Sequence, residues 1–211
     1  MSGVDRDELA ARLRAGLETI GAPFPPEAPG QLADLALLVA TWGRRINLSG
    51  HRSPMQIGDR LILDAAALSA KLPAFQSLVD LGSGAGFPGL PIAILYPEAE
   101  LVLVEARRRR HYFQRAVVRQ LEIPNAQPLH GRIEQLVPRP CTVALAQAVG
   151  PAPKVAASMR PWVLPGGWIG IPTVVDATEP DFGADLGHCR AVDYTVPGGP
   201  RRKLWMLGSV A

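Results

Sequence analysis

The feature that most restricts the fold is the segment Leu78-Val79-Asp80-Leu81-Gly82-Ser83-Gly84-Ala85-Gly86-Phe87-Pro88-Gly89. A short apolar run ends beside an acid, meets three alternate glycines, and is followed by a second apolar run, Leu90–Leu95. Glycine adopts backbone conformations closed to other residues, so this run predicts a strand turned sharply into a helix. It also removes the β-carbons that would hold a ligand away from the main chain. The helix N-terminus that follows aims free N–H groups at the same spot. Pro88 suits the start of that helix, where its missing N–H leaves nothing unsatisfied. A long coiled coil or a plain helical bundle cannot accommodate such a turn. The 21 glycines and 21 prolines among 211 residues point the same way.

Strand-like runs recur at 77–81, 101–104, 126–129, 142–147, 167–171, 190–196 and 203–208, with helical patterns at 90–95, 107–121, 152–160 and 181–187. The run Leu101–Val104, bounded by acids, reads as a strand buried on both faces. This alternation predicts an α/β fold, a doubly wound, mostly parallel seven-stranded sheet. No strand is evident before residue 77. Leu9, Leu13, Leu17 and Ile20 mark a helix over 5–20, and further helices are expected over about 31–45 and 53–71. Ser53 ahead of Pro54 is a suitable N-cap, and the proline-rich stretch 21–30 reads as a connector. The expected division is a helical extension over 1–74 and a ligand-binding domain over 75–211.

Composition excludes several other classes. No apolar stretch reaches the roughly 18 residues of a membrane span, and no basic-then-apolar leader opens the chain. A soluble, cytoplasmic protein is therefore expected. Cys141 and Cys189 are too few for a disulfide framework or a metal cluster, and His51, His111, His130 and His188 lack ligand spacing. The net charge is +3, but its distribution is uneven: residues 101–140 carry eight arginines against three acids, centred on Arg107-Arg108-Arg109-Arg110. A compact basic patch is the signature of a polyanionic partner.

Glu105 closes the second strand, where a carboxylate can accept hydrogen bonds from both hydroxyls of a ribose. Two ligand classes fit. Gly84-x-Gly86-x-x-Gly89 satisfies the dinucleotide pattern, with an acid about twenty residues on. The longer string Asp80-x-Gly82-x-Gly84-x-Gly86 resembles the first motif of class I S-adenosylmethionine-dependent methyltransferases, whose strand-end acid the dinucleotide pattern does not ask for.

The flanking residues are similar to one family, the bacterial glucose-inhibited division protein B proteins, which methylate N7 of a guanine in 16S ribosomal RNA. The matching stretches are Trp42-Gly43-Arg44-Arg45-Ile46-Asn47-Leu48-Ser49, Ile62-Leu63-Asp64, and Asp80 through Ala93 with its Gly-Phe-Pro-Gly-Leu-Pro run. They continue with Arg109, Arg110 and Phe113, then Gly131-Arg132-Ile133-Glu134, then Arg202-Lys203-Leu204. The resemblance implies a Rossmann-like methyltransferase domain with S-adenosylmethionine as cofactor. It places the cofactor against Gly82, Gly84, Gly86 and Phe87, with Glu105 on the ribose, Ile133 and Glu134 around the adenine, and Gln147 as a further cofactor-binding residue. It also implies ribosomal RNA or an assembling small subunit as partner, contacted by Arg107–Arg110 and Arg202, with Arg44, Arg45 and Arg201 as secondary candidates. A monomer without metal or membrane association is expected.

The chain departs from that family at four positions. Gln147-Ala148 stands where the family has Arg-Ala, Leu61 where it has His, and Ala65 where it has Ser; the segment near Thr173 lacks the usual Lys. Guanine N7 carries a lone pair and no proton, so its methylation requires no general base, and positioning does most of the catalysis. Asp64 is the one candidate for orienting the base or capping the cofactor cleft, with stabilisation of its own helix as the alternative. A methyltransferase with another substrate, a dinucleotide-dependent oxidoreductase, and a non-catalytic RNA-binding relative remain as other readings.

Overall fold

The structure is a computed structural model that describes residues 5–183 and 187–208. Its strands are β1 (Ser77–Leu81), β2 (Glu100–Glu105), β3 (Ala126–His130), β4 (Cys141–Leu145), β5 (Val163–Val174), β6 (Cys189–Thr195) and β7 (Arg201–Gly208). They form one sheet in the order β3-β2-β1-β4-β5-β7-β6. β1 lies parallel to β2 and to β4, while β7 runs antiparallel between β5 and β6. Strand order reverses between β1 and β4, and ligands of open α/β sheets bind in the crevice beyond the strand ends at such a point.

Alternation along the strands divides the core in two. Leu78, Leu101, Leu103, Val143, Leu145, Leu204 and Met206 pack on one face, and Val79, Leu81, Val104, Ala144, Ile169, Trp205 and Leu207 on the other. The first face is covered by α1 (Arg6–Ile20), α2 (Ala28–Gly43), α4 (Leu63–Ser69), α5 (Gly89–Leu95) and α6 (Arg108–Gln120), all contributing to one apolar cluster. On the second face Val155, Ala156 and Met159 of α7 (Ala152–Met159) pack with Trp162. Leu9, Leu13 and Leu17 of α1 share their cluster with Leu78 and Leu103 of the sheet, so the N-terminal helices bury their apolar stripe in the same core.

Local signals explain most boundaries. α1 starts at Asp5, whose Oδ1 accepts the Asp7 N–H at 3.0 Å, and ends at Gly21, whose left-handed backbone (φ 74°) suits only glycine well. Three boundaries differ from the sequence expectation. α2 begins at Ala28 rather than near residue 31, because Pro29 falls in the first turn, where a missing N–H is tolerated. The third helix is not continuous. Ser53 caps α3 (Pro54–Ile57), as expected, but a π-turn over Gly58–Ile62 separates α3 from α4. β5 starts at Val163 rather than 167, because Pro165-Gly166-Gly167 forms a bulge within the strand and not a turn before it.

The helix expected over 181–187 is absent from Asp181, Phe182, Gly183 and Gly187, and Gly183 is left-handed at φ 76°. The rest of that expected helix, 184–186, lies outside the described residues. No described helix is long and apolar enough to cross a membrane.

Candidate active site

The turn after β1 is built almost wholly from backbone. Gly82, Gly84 and Gly86 have φ of 77°, 58° and 87°, each in the left-handed region. The Gly82 and Ser83 N–H groups donate to the Val104 carbonyl at 2.9 and 3.0 Å, which ties the turn to β2. The Gly86 and Phe87 N–H groups both donate to the Ser83 carbonyl and close the loop into α5. A β-carbon at Gly86 would collide with the buried Leu90, and one at Gly82 would meet Val149 Cγ1 at 2.8 Å. At Gly84 the nearest atom to such a carbon is Arg110 Nη1, at 3.6 Å, so this backbone is open to a ligand.

Glu105 folds over that opening. One carboxylate oxygen accepts the Gly84 N–H at 2.9 Å and the other the Arg107 N–H at 2.6 Å, although the residue is only 5 % exposed. Each oxygen keeps a second lone pair, so an oriented acid with remaining acceptor capacity stands beside an open backbone. This donor and acceptor set fits a ribose. Gln114, fully buried on α6, was not singled out from sequence. Its amide donates to Ser83 Oγ at 2.8 Å and to the Gly84 carbonyl at 2.9 Å, bracing the turn from below. Only its placement on an otherwise apolar helix face could have signalled it.

Asp80 serves the same turn. Its Oδ2 accepts the Gly89 N–H at 2.9 Å, and Gly89 has no room for a β-carbon because Leu103 and Asp80 occupy the space. Its Oδ1 is buried with no hydrogen-bond partner among the described residues. Burial, with Glu105 nearby, pushes this carboxyl up to about 7.

Across the switch point a second polar cluster gathers residues from four distant segments. Tyr194 Oη donates to Asp64 Oδ1 at 3.1 Å, Arg202 Nη2 lies 3.4 Å from Asp64 Oδ2, and Gln147 Nε2 lies 3.5 Å from the same oxygen. Burial raises the Asp64 carboxyl above its usual range, while Arg202, Tyr194 and Gln147 pull it back down. Burial and Asp64 together hold the Tyr194 phenol well above its ordinary value. Tyr194 carried no sequence signal, since it reads as one more aromatic residue of a strand. Beyond Gln147, Ala148 is left-handed at φ 56° and the exposed Val149 reaches Gly82, so the cluster adjoins the glycine turn.

The basic residues divide. Trp42 packs edge-on against Phe113 at 5.5 Å, bringing the loop that follows α2 onto the start of α6. A groove of about 350 Å³ results, lined by Arg45, Ile46, Asn47 and Arg107–Arg110. Arg110 donates to the Asn47 carbonyl, and Arg108 donates to Tyr112 Oη at 2.7 Å. The side chains of Arg107 and Arg109 have no partner among the described residues and face solvent. Arg202 lies apart from this groove, paired with Asp64, and Arg201 pairs with Asp193 at 3.2 Å. Phe87 is half-buried beside the turn; Ile133 is half-buried and Glu134 exposed in a 3₁₀ turn past β3. Among the described residues no group of three His, Cys, Asp or Glu could hold a metal ion.

Comparison with known proteins agrees with this architecture. A methyltransferase from Pyrococcus furiosus superposes with a TM-score of 0.59 at 14 % identity, covering 85 % of this chain and 98 % of that one. The O-methyltransferase TomG from Streptomyces achromogenes gives 0.55 at 15 % identity, over 85 % and 89 %. Both show the fold, the Rossmann-like α/β architecture of class I methyltransferases.

Sequence relatives are more specific. The ribosomal RNA small subunit methyltransferase G of Leptothrix cholodnii is 33 % identical over 212 residues, 96 % of this chain and 95 % of that protein. The protein of the same name from Chromohalobacter salexigens is 30 % identical over 196 residues, 92 % and 94 % of the two chains. Residues 29–171 match the family model GidB, described as rRNA small subunit methyltransferase G. With the glycine turn, its acid and the helical layer all inside or beside that match, this chain belongs to the rRNA small subunit methyltransferase G family.

Proposed function

We propose that this protein transfers a methyl group from S-adenosylmethionine to N7 of a guanine in 16S ribosomal RNA. Membership of a methyltransferase family supports the reaction class, and the open, left-handed Gly84 beneath Glu105 is the observation that carries the cofactor assignment. In this reading Gly82, Gly84, Gly86 and Phe87 hold the cofactor's methionine end and Glu105 its ribose. Ile133 and Glu134 flank the adenine, and Gln147 stands at the border with the acceptor. When bound, S-adenosylmethionine supplies a methyl group activated on a sulfonium.

What the chain itself contributes is placement. Gln114 and Asp80 fix the turn from inside, so the Gly84 backbone and Glu105 are preorganised before any ligand arrives. In-line displacement depends steeply on such alignment, and a lone pair already free on the acceptor requires no proton transfer first. RNA would run past the groove between the loop after α2 and the start of α6, where Arg107 and Arg109 are available to phosphate oxygens.

Mapping N7-methylguanine in 16S ribosomal RNA from cells with and without this protein tests the proposal. One position methylated only in its presence is the expected result; identical maps would overturn it. Calorimetry separates the cofactor classes. Binding of S-adenosylmethionine that weakens at least tenfold in Glu105→Ala is expected, and tight NAD binding with no response to S-adenosylmethionine would exclude a methyltransferase.

A further inference from the structure

The cluster around Asp64 does more polar work than folding requires. Three side chains, from just past β4, from β6 and from β7, converge on the Asp64 carboxylate of α4 at the edge of the sheet where the strand ends gather. A buried ion pair of this kind adds little stability over apolar packing, because both charges lose water. The two oxygens of Asp64 are also treated differently. Oδ1 receives a well-formed bond from Tyr194 at 3.1 Å, whereas Oδ2 meets its two donors only at 3.4 and 3.5 Å, the limit for a hydrogen bond. Oδ2 is therefore held in position yet weakly engaged.

Gln147 connects this oxygen to the cofactor turn. It precedes the left-handed Ala148 and the exposed Val149, whose side chain reaches Gly82. Non-glycine residues in that backbone region carry strain that surrounding structure must hold, and such strain collects at functional sites. A carboxylate beside an amide donor can engage all three groups of a guanine edge, whereas the other bases offer the carboxylate only one donor group. Guanine presents N1–H and an N2 amino group next to the O6 acceptor. A carboxylate accepts from the first two and an amide N–H donates to the third.

We infer that Asp64 and Gln147 read the Watson–Crick edge of the acceptor guanine, with Tyr194 and Arg202 as positioning residues that hold Asp64. This rests on the proposed guanine-N7 methylation. A base gripped by that edge leaves N7, on the neighbouring Hoogsteen edge, free for the methyl donor. Methylation at N7 also leaves the purine with a positive charge, which the Asp64 carboxylate facing N1–H stabilises as it develops.

The test is single-turnover methyl transfer to 16S ribosomal RNA carrying either guanine or inosine at the mapped position. Inosine lacks only the N2 amino group. The intact protein is expected to favour guanine by about tenfold, as one base-edge hydrogen bond provides. In Asp64→Asn the guanine rate falls by about 10- to 100-fold and the preference shrinks to about twofold, while S-adenosylhomocysteine binding stays within about twofold and reports intact folding. Gln147→Leu is expected to slow guanine and inosine alike, since both carry O6. Full guanine preference in Asp64→Asn, or none in the intact protein, overturns the subsite alone. Failure of the intact protein to methylate guanine N7 overturns the functional reading and the subsite with it.

Discussion

Two buried aspartates, one on each side of the switch point, are held by opposite means. Asp80 has one backbone N–H on one oxygen, no partner on the other among the described residues, and a carboxyl pushed up to about 7. Asp64 is nearly as buried but is met by a phenol, a guanidinium and an amide. Asp80 belongs to a turn made of contiguous backbone, where a neutral or weakly ionised acid suffices to anchor α5. Asp64 belongs to a cluster of converging side chains that keeps a charge in a place hostile to charge. The contrast separates two ways of building a site: the first region shapes a cradle from backbone, and the second sets a side-chain-bonded carboxylate beside it.

The largest expected effect probes the backbone cradle. Gly86→Ala places a β-carbon against the buried Leu90 at a φ of 87°. Left-handed strain and overpacking together are expected to cost about 2–5 kcal/mol and to abolish cofactor binding. Gly84→Ala meets Arg110 Nη1 only at an ordinary contact distance of 3.6 Å, so a backbone cost of about 1–2 kcal/mol alone is expected. Thermal unfolding of the two variants side by side reads the difference. Equal losses would mean that φ alone, not the close approach of α5, dictates these glycines.

Asp80 offers the next test. Its folded carboxyl sits at about 7 against an ordinary value of 3.8. Between those values the unfolded chain releases a proton that the folded chain retains, so this group's contribution to stability falls as pH rises and levels off above about 7. The expected change across that window is about 2–4 kcal/mol. Asp80→Asn keeps an acceptor for the Gly89 N–H and cannot ionise, so its unfolding free energy should depend less steeply on pH. Matching pH profiles for the two proteins would erase the distinction drawn between the two aspartates.

The same contrast explains what sequence reading reached. Asp80, the three glycines and Glu105 lie within one strand-turn-helix-strand unit, so spacing along the chain reports spacing in space. The sheet was legible because short apolar runs and strand–helix alternation are local signals. The convergence of Asp64, Gln147 and Arg202, each named from sequence, was not, because Asp64 lies 130 residues from Tyr194 and further still from Arg202, and they meet only through β-pairing and helix packing. Tyr194 and Gln114 carry no local mark of their role. The π-turn escaped for a related reason. The close approach of Leu9 and Leu13 to Gly58 is a tertiary fact that no local pattern announces.

A third prediction presses on the charged side of the comparison. Arg202→Met removes the cation while keeping an apolar stem of similar length. Breaking a partly buried ion pair of this sort is expected to cost about 1–3 kcal/mol, less than a fully buried one because the Arg202 side chain is 24 % exposed. Burial already raises the Asp64 carboxyl and Arg202 opposes that rise, so the variant carries it higher still. A folded acid raised above its unfolded value loses stability with increasing pH. The penalty should therefore be greater at pH 8 than at pH 5. A penalty independent of pH would show that Arg202 contributes packing rather than charge.

The smallest effect extends the division between committed and available groups to the arginine run. Arg108 and Arg110 are occupied by Tyr112 and the Asn47 carbonyl, while Arg107 and Arg109 have no side-chain partner among the described residues. Four cations at the first turn of α6 oppose its dipole by about 0.3–1 kcal/mol for each well-placed charge, a cost that no acid in that turn offsets. A polyanion does offset it. Each phosphate contact contributes about 0.7–0.9 to the slope of log affinity against log salt. Replacing Arg107 and Arg109 by Ala should lower that slope for RNA binding by about 1–2, and replacing Arg108 and Arg110 by less. Because the pairs alternate along one turn, net charge changes equally in both double variants, so a difference between them isolates availability from charge. Equal slopes would return all four arginines to a diffuse electrostatic role, whereas a larger loss from Arg108 and Arg110 would mean that RNA displaces Tyr112 and Asn47.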